Sequence, residues 1–117
     1  MLFFCYPKCS TCKKAQKWLD DNQLSYTFRD ITLDNPTKEE LKEWTQGSGT
    51  LLRKAFNTSG MKYRALGLAQ KLKDMTEDEM LELLATDGML VKRPVLVHKG
   101  GVLFGFRQTQ WEEALLK

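Results

Sequence analysis

The start of the chain combines a strand pattern with a helix pattern. Residues 1–6 form an almost unbroken apolar run that ends at a proline, which is typical of a strand buried on both faces of a sheet. In the segment that follows, Ala15, Trp18 and Leu19 share one side of a helix, and charged residues occupy the other side. The pattern therefore predicts a buried strand that turns directly into an amphipathic helix.

A second strand is predicted at residues 24–31, where Tyr26 and Phe28 alternate with polar Thr27 and Arg29. A strand, a helix and a strand in succession form a βαβ unit, so the two strands should run parallel with a right-handed crossover. Residues 35–87 then lack the alternation of a half-buried strand. We expect that segment to contain no strand.

Helices are predicted in this middle segment. Capping boxes at residues 37–40 and 76–79 each place a threonine three positions before a glutamate, ahead of apolar residues. Polar and glycine-rich breaks separate the helices at residues 46–49 and 57–60. Gly88 follows the last of these helices and fits the left-handed position that ends many helices.

Strand patterns return near the end of the chain. Residues 95–98 and 102–104 flank Lys99-Gly100-Gly101, which predicts a hairpin, and Thr109 and Glu112 form a third capping box before a last helix. The order is βαβ, helical insert, ββα. It predicts an α/β protein with a thioredoxin (glutaredoxin-like) fold, whose four-stranded mixed sheet carries an α-helical insert between its second and third strands.

Length and composition narrow the class of protein. A chain of 117 residues argues for a single domain, with a core at 1–35 and 88–117 and the insert at 36–87. A net charge of +3 permits contact with an acidic partner but does not argue for direct nucleic-acid binding. No segment has the apolar length of a membrane helix, and the first residues lack a signal peptide's basic region. We expect a cytoplasmic protein, in which disulfides are usually transient and catalytic or sensing.

The chemistry of the chain is concentrated where the first strand meets the first helix. Cys9 stands at or just before the first helical turn, where unpaired amide N–H groups and the helix dipole favour a thiolate. Lys8 and Lys13 add nearby positive charge. Cys12 follows one turn later on the same face, within reach of a disulfide. The pattern predicts Cys9 as the nucleophile, Cys12 as the resolving thiol, and a redox disulfide between them.

Two metal-site alternatives use the same cysteines. A zinc site would need two more ligands, and the remaining candidates, Cys5 and His98, both lie in predicted strands. The spacing of Cys5, Cys9 and Cys12 also occurs in iron–sulfur radical enzymes, but those resemble much larger βα barrels. We expect neither a metal nor an organic cofactor, and we expect Cys5 to be an inert core residue.

Longer motifs add a resemblance that covers essentially the whole chain. They are Tyr-Pro-Lys-Cys-Ser-Thr-Cys-Lys-Lys-Ala at residues 6–15, Phe-Asn-Thr-Ser-Gly at 56–60, Asp-Gly-Met-Leu at 87–90 and Lys-Arg-Pro at 92–94. In combination they resemble the arsenate reductase-like (ArsC) family. That family includes glutaredoxin-type arsenate reductases and the Spx and MgsR transcriptional regulators.

The resemblance implies roles for residues away from the cysteines. Reductases of the family hold an oxyanion with arginines, because planar guanidinium groups suit such anions. Arg93, Arg107 and Arg53 stand at positions that resemble those of the family's arginines. Pro94 matches the cis proline of thioredoxin-like proteins, whose backbone would lie beside Cys9 and pair with an extended substrate. The alternatives are solvated surface arginines and a trans proline that merely begins a strand.

The branch within the family is left open. Reductases of the family typically have no second cysteine at the place of Cys12, so the C-x-x-C pair resembles the Spx and MgsR branch, where it acts as a redox switch. Spx carries a tail beyond its last helix, and its contact with the RNA polymerase α subunit uses a glycine that Gly49 could match. The resemblance thus implies either a reductase of disulfides or arsenate, reset by a thioredoxin- or glutaredoxin-like reductant, or a redox-switched regulator that binds the α subunit.

Overall fold

Two units make up the chain. The structure, a computed structural model, describes residues 1–46 and 49–116. One unit contains Met1–Asp30 and Arg93–Lys117, and the other contains Ile31–Lys92. The second unit begins before and ends after the predicted insert at 36–87. The single-domain assignment stays a prediction.

The first unit is built on a sheet. In the described residues, strands β1 (Leu2–Cys5), β2 (Thr27–Asp30), β3 (Val95–His98) and β4 (Gly101–Phe104) form a four-stranded sheet in the order β2-β1-β3-β4. β1 is parallel to β2 and antiparallel to β3, and β3 pairs antiparallel with β4. The mixed sheet and the inner position of β1 are confirmed.

Helices α1 (Ser10–Asp21) and α7 (Gln108–Leu115) belong to the same unit. Phe3 of β1, Leu19 of α1 and Trp111 of α7 are all fully buried and belong to one apolar cluster. The Trp111 indole N–H donates to the carbonyl oxygen of Gly105 at 3.0 Å, so its polar atom is satisfied inside the core. This packing anchors α1, and therefore its N-terminus, against the sheet.

The second unit is helical. Its helices are α2 (Lys38–Thr45), α3 (Gly49–Lys54), α4 (Met61–Ala65), α5 (Leu68–Lys71) and α6 (Glu77–Thr86), with 3-10 turns at Leu72–Asp74 and Gly88–Leu90. The described residues of 36–87 contain no β-strand, as predicted, although Phe56 forms an isolated bridge with Val91. Residues 47–48 of the predicted break lie outside the described residues, and no helix in the described part of the chain is long and apolar enough to span a bilayer.

Both capping boxes predicted in this unit are confirmed. The Thr37 hydroxyl accepts the Glu40 N–H at 3.1 Å, and the Glu40 carboxylate accepts the Thr37 N–H at 3.0 Å. Thr76 and Glu79 repeat the same reciprocal pair at the start of α6. Each motif is complete within one helical turn, which is why the local sequence is enough to predict it.

The third predicted capping box is wrong. The N-cap of α7 is Arg107, which makes no side-chain capping bond, and Thr109 lies inside the first turn. Glu112 instead accepts a hydrogen bond from the Gln108 side-chain amide at 2.9 Å. The helix begins at Gln108, before Thr109, so Thr109 is not the N-cap residue and cannot form a capping box with Glu112.

The role predicted for Gly88 is also wrong. It lies in a 3-10 turn and is not among the glycines with positive φ. A Cβ at this position would clash with the carbonyl oxygen of Ile31 and lie 2.8 Å from its carbonyl carbon. Gly88 is therefore required by a close approach of two backbone segments rather than by a left-handed conformation.

Candidate thiol redox site

Cys9 is the N-cap residue of α1. Its backbone is extended, at φ −84° and ψ 119°, and its N–H donates to the carbonyl oxygen of Tyr6 at 2.9 Å. Its own carbonyl accepts the first helical hydrogen bond, from the Lys13 N–H at 3.1 Å. The side chain carries a free thiol and is half-buried. The structure thus places a free, accessible sulfur at the start of the helix, as the sequence predicts.

Cys12 is bonded to Cys5 in this structure. The predicted disulfide between Cys9 and Cys12 is therefore not the one present, and the expectation that Cys5 is an inert core residue is corrected. The reason is tertiary: Cys5 ends β1 with its side chain in the same cluster as Cys12, and their Cα atoms are 5.7 Å apart. That separation lies in the ordinary range for a disulfide. A signal existed in the sequence, because Cys5 shares the alternation of Phe3 and Cys12 lies on the apolar face of α1.

Tyr6 connects the parts of the site, although nothing in the sequence pattern marks it as a site residue. Its N–H donates to the sulfur of Cys12 at 3.4 Å, and its carbonyl accepts the N–H of Cys9. The Arg93 guanidinium carbon lies 5.7 Å from the centroid of the Tyr6 ring, a distance at which a cation interacts with an aromatic face. One residue therefore contacts both predicted redox cysteines and the first predicted anion-binding arginine.

The other predicted site residues lie on several different elements. Pro94 is buried and follows Arg93 through a cis peptide bond, in agreement with the resemblance. Arg107 is exposed at the N-cap of α7, after Phe106, whose ring packs against the same apolar cluster as Cys9. Arg53 lies in α3 of the helical unit and is exposed. Gly49 is the first residue of α3.

A pocket of about 250 Å³ opens beside the disulfide. Cys5 and Cys12 contribute to its wall, together with polar Lys13 and Gln16. The remaining wall is apolar or aromatic and comprises Tyr6, Pro7 and Phe28. Lys13, predicted to activate Cys9, thus lines a cavity next to the bonded sulfurs, whereas Lys8 is exposed.

Metal ligation has little support in the geometry. In residues 1–46 and 49–116, no three His, Cys, Asp or Glu side chains come together in a way that could hold a metal ion. His98, a candidate zinc ligand, accepts the Gly100 N–H at its Nδ1, 3.1 Å away, and burial lowers the pKa of its imidazole. That no metal is bound stays a prediction.

Comparison with known proteins identifies the family. The model of the ArsC family matches residues 4–114. The chain is 51% identical to the uncharacterized protein YusI of Bacillus subtilis over 113 residues, which cover 97% of this chain and 96% of YusI. It is 30% identical to the regulatory protein MgsR of Bacillus subtilis over 106 residues, 91% of this chain and 82% of MgsR. An ArsC family related protein from Bacteroides fragilis has 54% identity and a TM-score of 0.90, with coverage of 96% of this chain and 94% of that one. The chain therefore belongs to the ArsC family.

Proposed function

We propose that the protein is a cytoplasmic thiol–disulfide redox protein in which Cys9 is the nucleophile and Cys12 resolves the adduct. The observation that carries the proposal is the free, half-buried thiol of Cys9 at the start of a twelve-residue helix, one turn before a buried cysteine already engaged in a disulfide. The helix start carries unpaired backbone N–H groups and the positive end of the helix dipole, and exposed Lys8 and Lys13 are close to Cys9 along the chain. These features suit attack on a disulfide or another electrophilic centre.

The substrate class follows from the groups around the thiol. A disulfide needs only the cysteines, whereas an oxyanion such as arsenate needs cationic contacts, which Arg93 and Arg107 would supply. The position of Arg93 over Tyr6, whose backbone contacts both cysteines, supports the role of this arginine. A thioredoxin- or glutaredoxin-like reductant would restore the thiols.

Alkylation and adduct trapping test the cysteine roles. In fully reduced protein, limiting iodoacetamide at neutral pH should modify Cys9 well before Cys12, because Cys12 is 2% exposed. Cys12→Ser should accumulate mixed disulfides at Cys9 when a small disulfide is added, and Cys9→Ser should accumulate almost none. Slow modification of Cys9, or adducts confined to the Cys9→Ser variant, would contradict the assignment.

A second function is favoured by the similarity to a regulatory protein, MgsR, across 91% of the chain. In this reading the disulfide changes binding to the RNA polymerase α subunit, and no substrate is turned over. A pull-down with recombinant α subunit, run beside an arsenate-dependent NADPH assay with thioredoxin or glutaredoxin, separates the two functions. Enrichment without turnover selects the regulator, and turnover without enrichment selects the enzyme.

A further inference from the structure

Cys5 is a reactive group that the proposed function does not use. It is the last residue of β1, it is 2% exposed, and it is bonded to the cysteine that should resolve the Cys9 adduct. A scheme limited to Cys9 and Cys12 ends with those two sulfurs joined. The structure instead shows Cys12 joined to Cys5 and Cys9 free.

We propose that Cys5 is the terminal thiol of a three-cysteine relay that removes the disulfide from Cys9 and returns Cys9 to its thiol form. The proposal rests on the proposed redox function and adds Cys5 as a catalytic residue. The state seen in the structure is the end of the relay, in which oxidation is stored in the Cys5–Cys12 bond.

The relay consists of three thiol–disulfide exchanges with an external disulfide, RSSR, as the oxidant. The Cys9 thiolate attacks RSSR, forming Cys9–S–S–R and releasing one RS⁻. The Cys12 thiolate then attacks the Cys9 sulfur, forming the Cys9–Cys12 bond and releasing the second RS⁻. Finally the Cys5 thiolate attacks the Cys12 sulfur, forming Cys5–Cys12 and releasing the Cys9 thiolate. In sum, the thiols of Cys5 and Cys12 lose two electrons, RSSR gains them, and their two protons pass to the two RS⁻ groups.

Burial gives the last exchange its direction. Of the three sulfurs, those of Cys5 and Cys12 lie in residues that are 2% exposed, whereas Cys9 is half-buried at a helix start. The pairing Cys5–Cys12 places both bonded sulfurs in the core and leaves the free sulfur on Cys9, the most exposed of the three residues. A further RSSR can then react at Cys9. The pairing Cys9–Cys12 would instead leave the free sulfur on buried Cys5, where an external disulfide cannot reach it.

The geometry also lets the sulfur of Cys5 reach the sulfur of Cys12. The Cα atoms of Cys5 and Cys12 are 5.7 Å apart, so their sulfurs meet within the existing backbone. The Tyr6 N–H at 3.4 Å from the Cys12 sulfur is placed to stabilise a thiolate there before it attacks Cys9. The adjoining pocket of about 250 Å³ has both cysteines in its wall and offers a reductant a route to the stored disulfide.

The test treats fully reduced protein, freed of reductant, with excess 2-hydroxyethyl disulfide, quenches the reaction with acid, and reads intact mass and disulfide-linked peptides. Wild type should contain the Cys5–Cys12 bond and, because Cys9 is free again, one stable hydroxyethylthiol adduct at Cys9. Cys5→Ser and Cys5→Ala should stop one step earlier, with a Cys9–Cys12 bond and no adduct. In Cys9→Ser, the Cys5–Cys12 bond should form about tenfold more slowly or worse, because direct attack must reach buried thiols.

The outcomes distinguish the relay from the underlying redox function. A wild-type protein that stops at Cys9–Cys12 with Cys5 free overturns the relay and leaves the proposed function standing. Formation of Cys5–Cys12 at the wild-type rate in Cys9→Ser also overturns the relay. Absence of any adduct or disulfide at Cys9 in wild type and in both Cys5 variants overturns the proposed function itself. Circular dichroism of both Cys5 variants verifies that they fold. A failure to move the disulfide from Cys9 to Cys5 can then be attributed to the missing thiol rather than to unfolding.

Discussion

Reduction of the Cys5–Cys12 disulfide should destabilise the protein measurably. The bond joins residues separated by 7 positions, and for a loop of that length the chain-entropy relation gives about 2.4 kcal/mol at 25 °C. The Cα atoms already stand 5.7 Å apart in the fold, so we expect most of this stabilisation to be realised. With a urea dependence of about 1–3 kcal/mol per M, the unfolding midpoint should fall by about 0.8–2.4 M on reduction.

The assay is urea unfolding with and without a phosphine reductant, followed by tryptophan fluorescence. Trp111 is fully buried and Trp18 packs against the same cluster, so both report on the sheet unit that holds the disulfide. The matched control is Cys9→Ser, which keeps Cys5 and Cys12 and excludes the rival pairing. It should lose about the same 2.4 kcal/mol.

The rival pairing has its own expected magnitude. In Cys5→Ser, Cys9 and Cys12 can close a loop of three positions, for which the same relation gives about 1.6 kcal/mol. Reduction should therefore shift this variant less than Cys9→Ser. A shift below about 0.5 kcal/mol in Cys9→Ser would refute the claim that Cys5–Cys12 stabilises the fold.

Three further predictions concern the anion contacts, a close backbone approach and the histidine. Sulfate or phosphate should protect Cys9 from alkylation. Arg93→Ala should weaken that protection about tenfold or more, as expected for loss of a charge-assisted contact of about 1.5–3 kcal/mol. Competition alkylation with mass detection measures the degree of protection. Gly88→Ala should cost about 1–3 kcal/mol in urea unfolding, because the new Cβ overlaps the carbonyl group of Ile31. Burial lowers the pKa of His98 in the folded protein, so the unfolded chain binds a proton more readily. The stability contributed above about pH 6.5 should therefore be lost as the pH falls through the lower folded pKa. Thermal melts from pH 8 to 5 measure this loss, and His98→Gln should reduce it.

Each of these predictions has a control in the same chain. Arg64→Ala removes an exposed arginine to which no anion role is assigned, and it should leave anion protection unchanged. Gly67→Ala adds a Cβ with no atom within 4 Å, so its cost reflects backbone strain alone at φ +64°. Equal protection in the Arg93 variant, a Gly88→Ala variant as stable as wild type, or a wild-type melt insensitive to pH below 6.5 would contradict the respective argument.

The sequence predicts features whose causes are local. The apolar run before Pro7 is enough to place β1 inside the sheet, and two threonine–glutamate pairs start helices because the whole motif fits within one turn. The same local rule fails at Thr109, where the helix begins at Gln108 after Arg107. A local motif cannot report where the preceding chain leaves β4, and that exit decides the first helical residue.

The sequence fails where two distant backbone segments meet. Nothing near Gly88 announces that the carbonyl of Ile31 approaches it, so a helix-ending conformation was the natural local inference. The Cys5–Cys12 bond is similar, because spacing along α1 favours Cys9 as the partner of Cys12. The strand alternation that turns Cys5 toward the helix becomes decisive only once β1 and α1 are packed together.

Tyr6 lies between the cysteines and Arg93, the arginine proposed to contact an anion. The bond from its N–H to the Cys12 sulfur is stronger when that sulfur is a thiolate than when it is part of a disulfide, because charged acceptors form stronger hydrogen bonds. The same residue accepts the Cys9 N–H and carries Arg93 over its ring. The proposed attack by Cys9 and the proposed anion contact of Arg93 therefore share Tyr6 as a common neighbour, through its backbone on one side and its ring on the other.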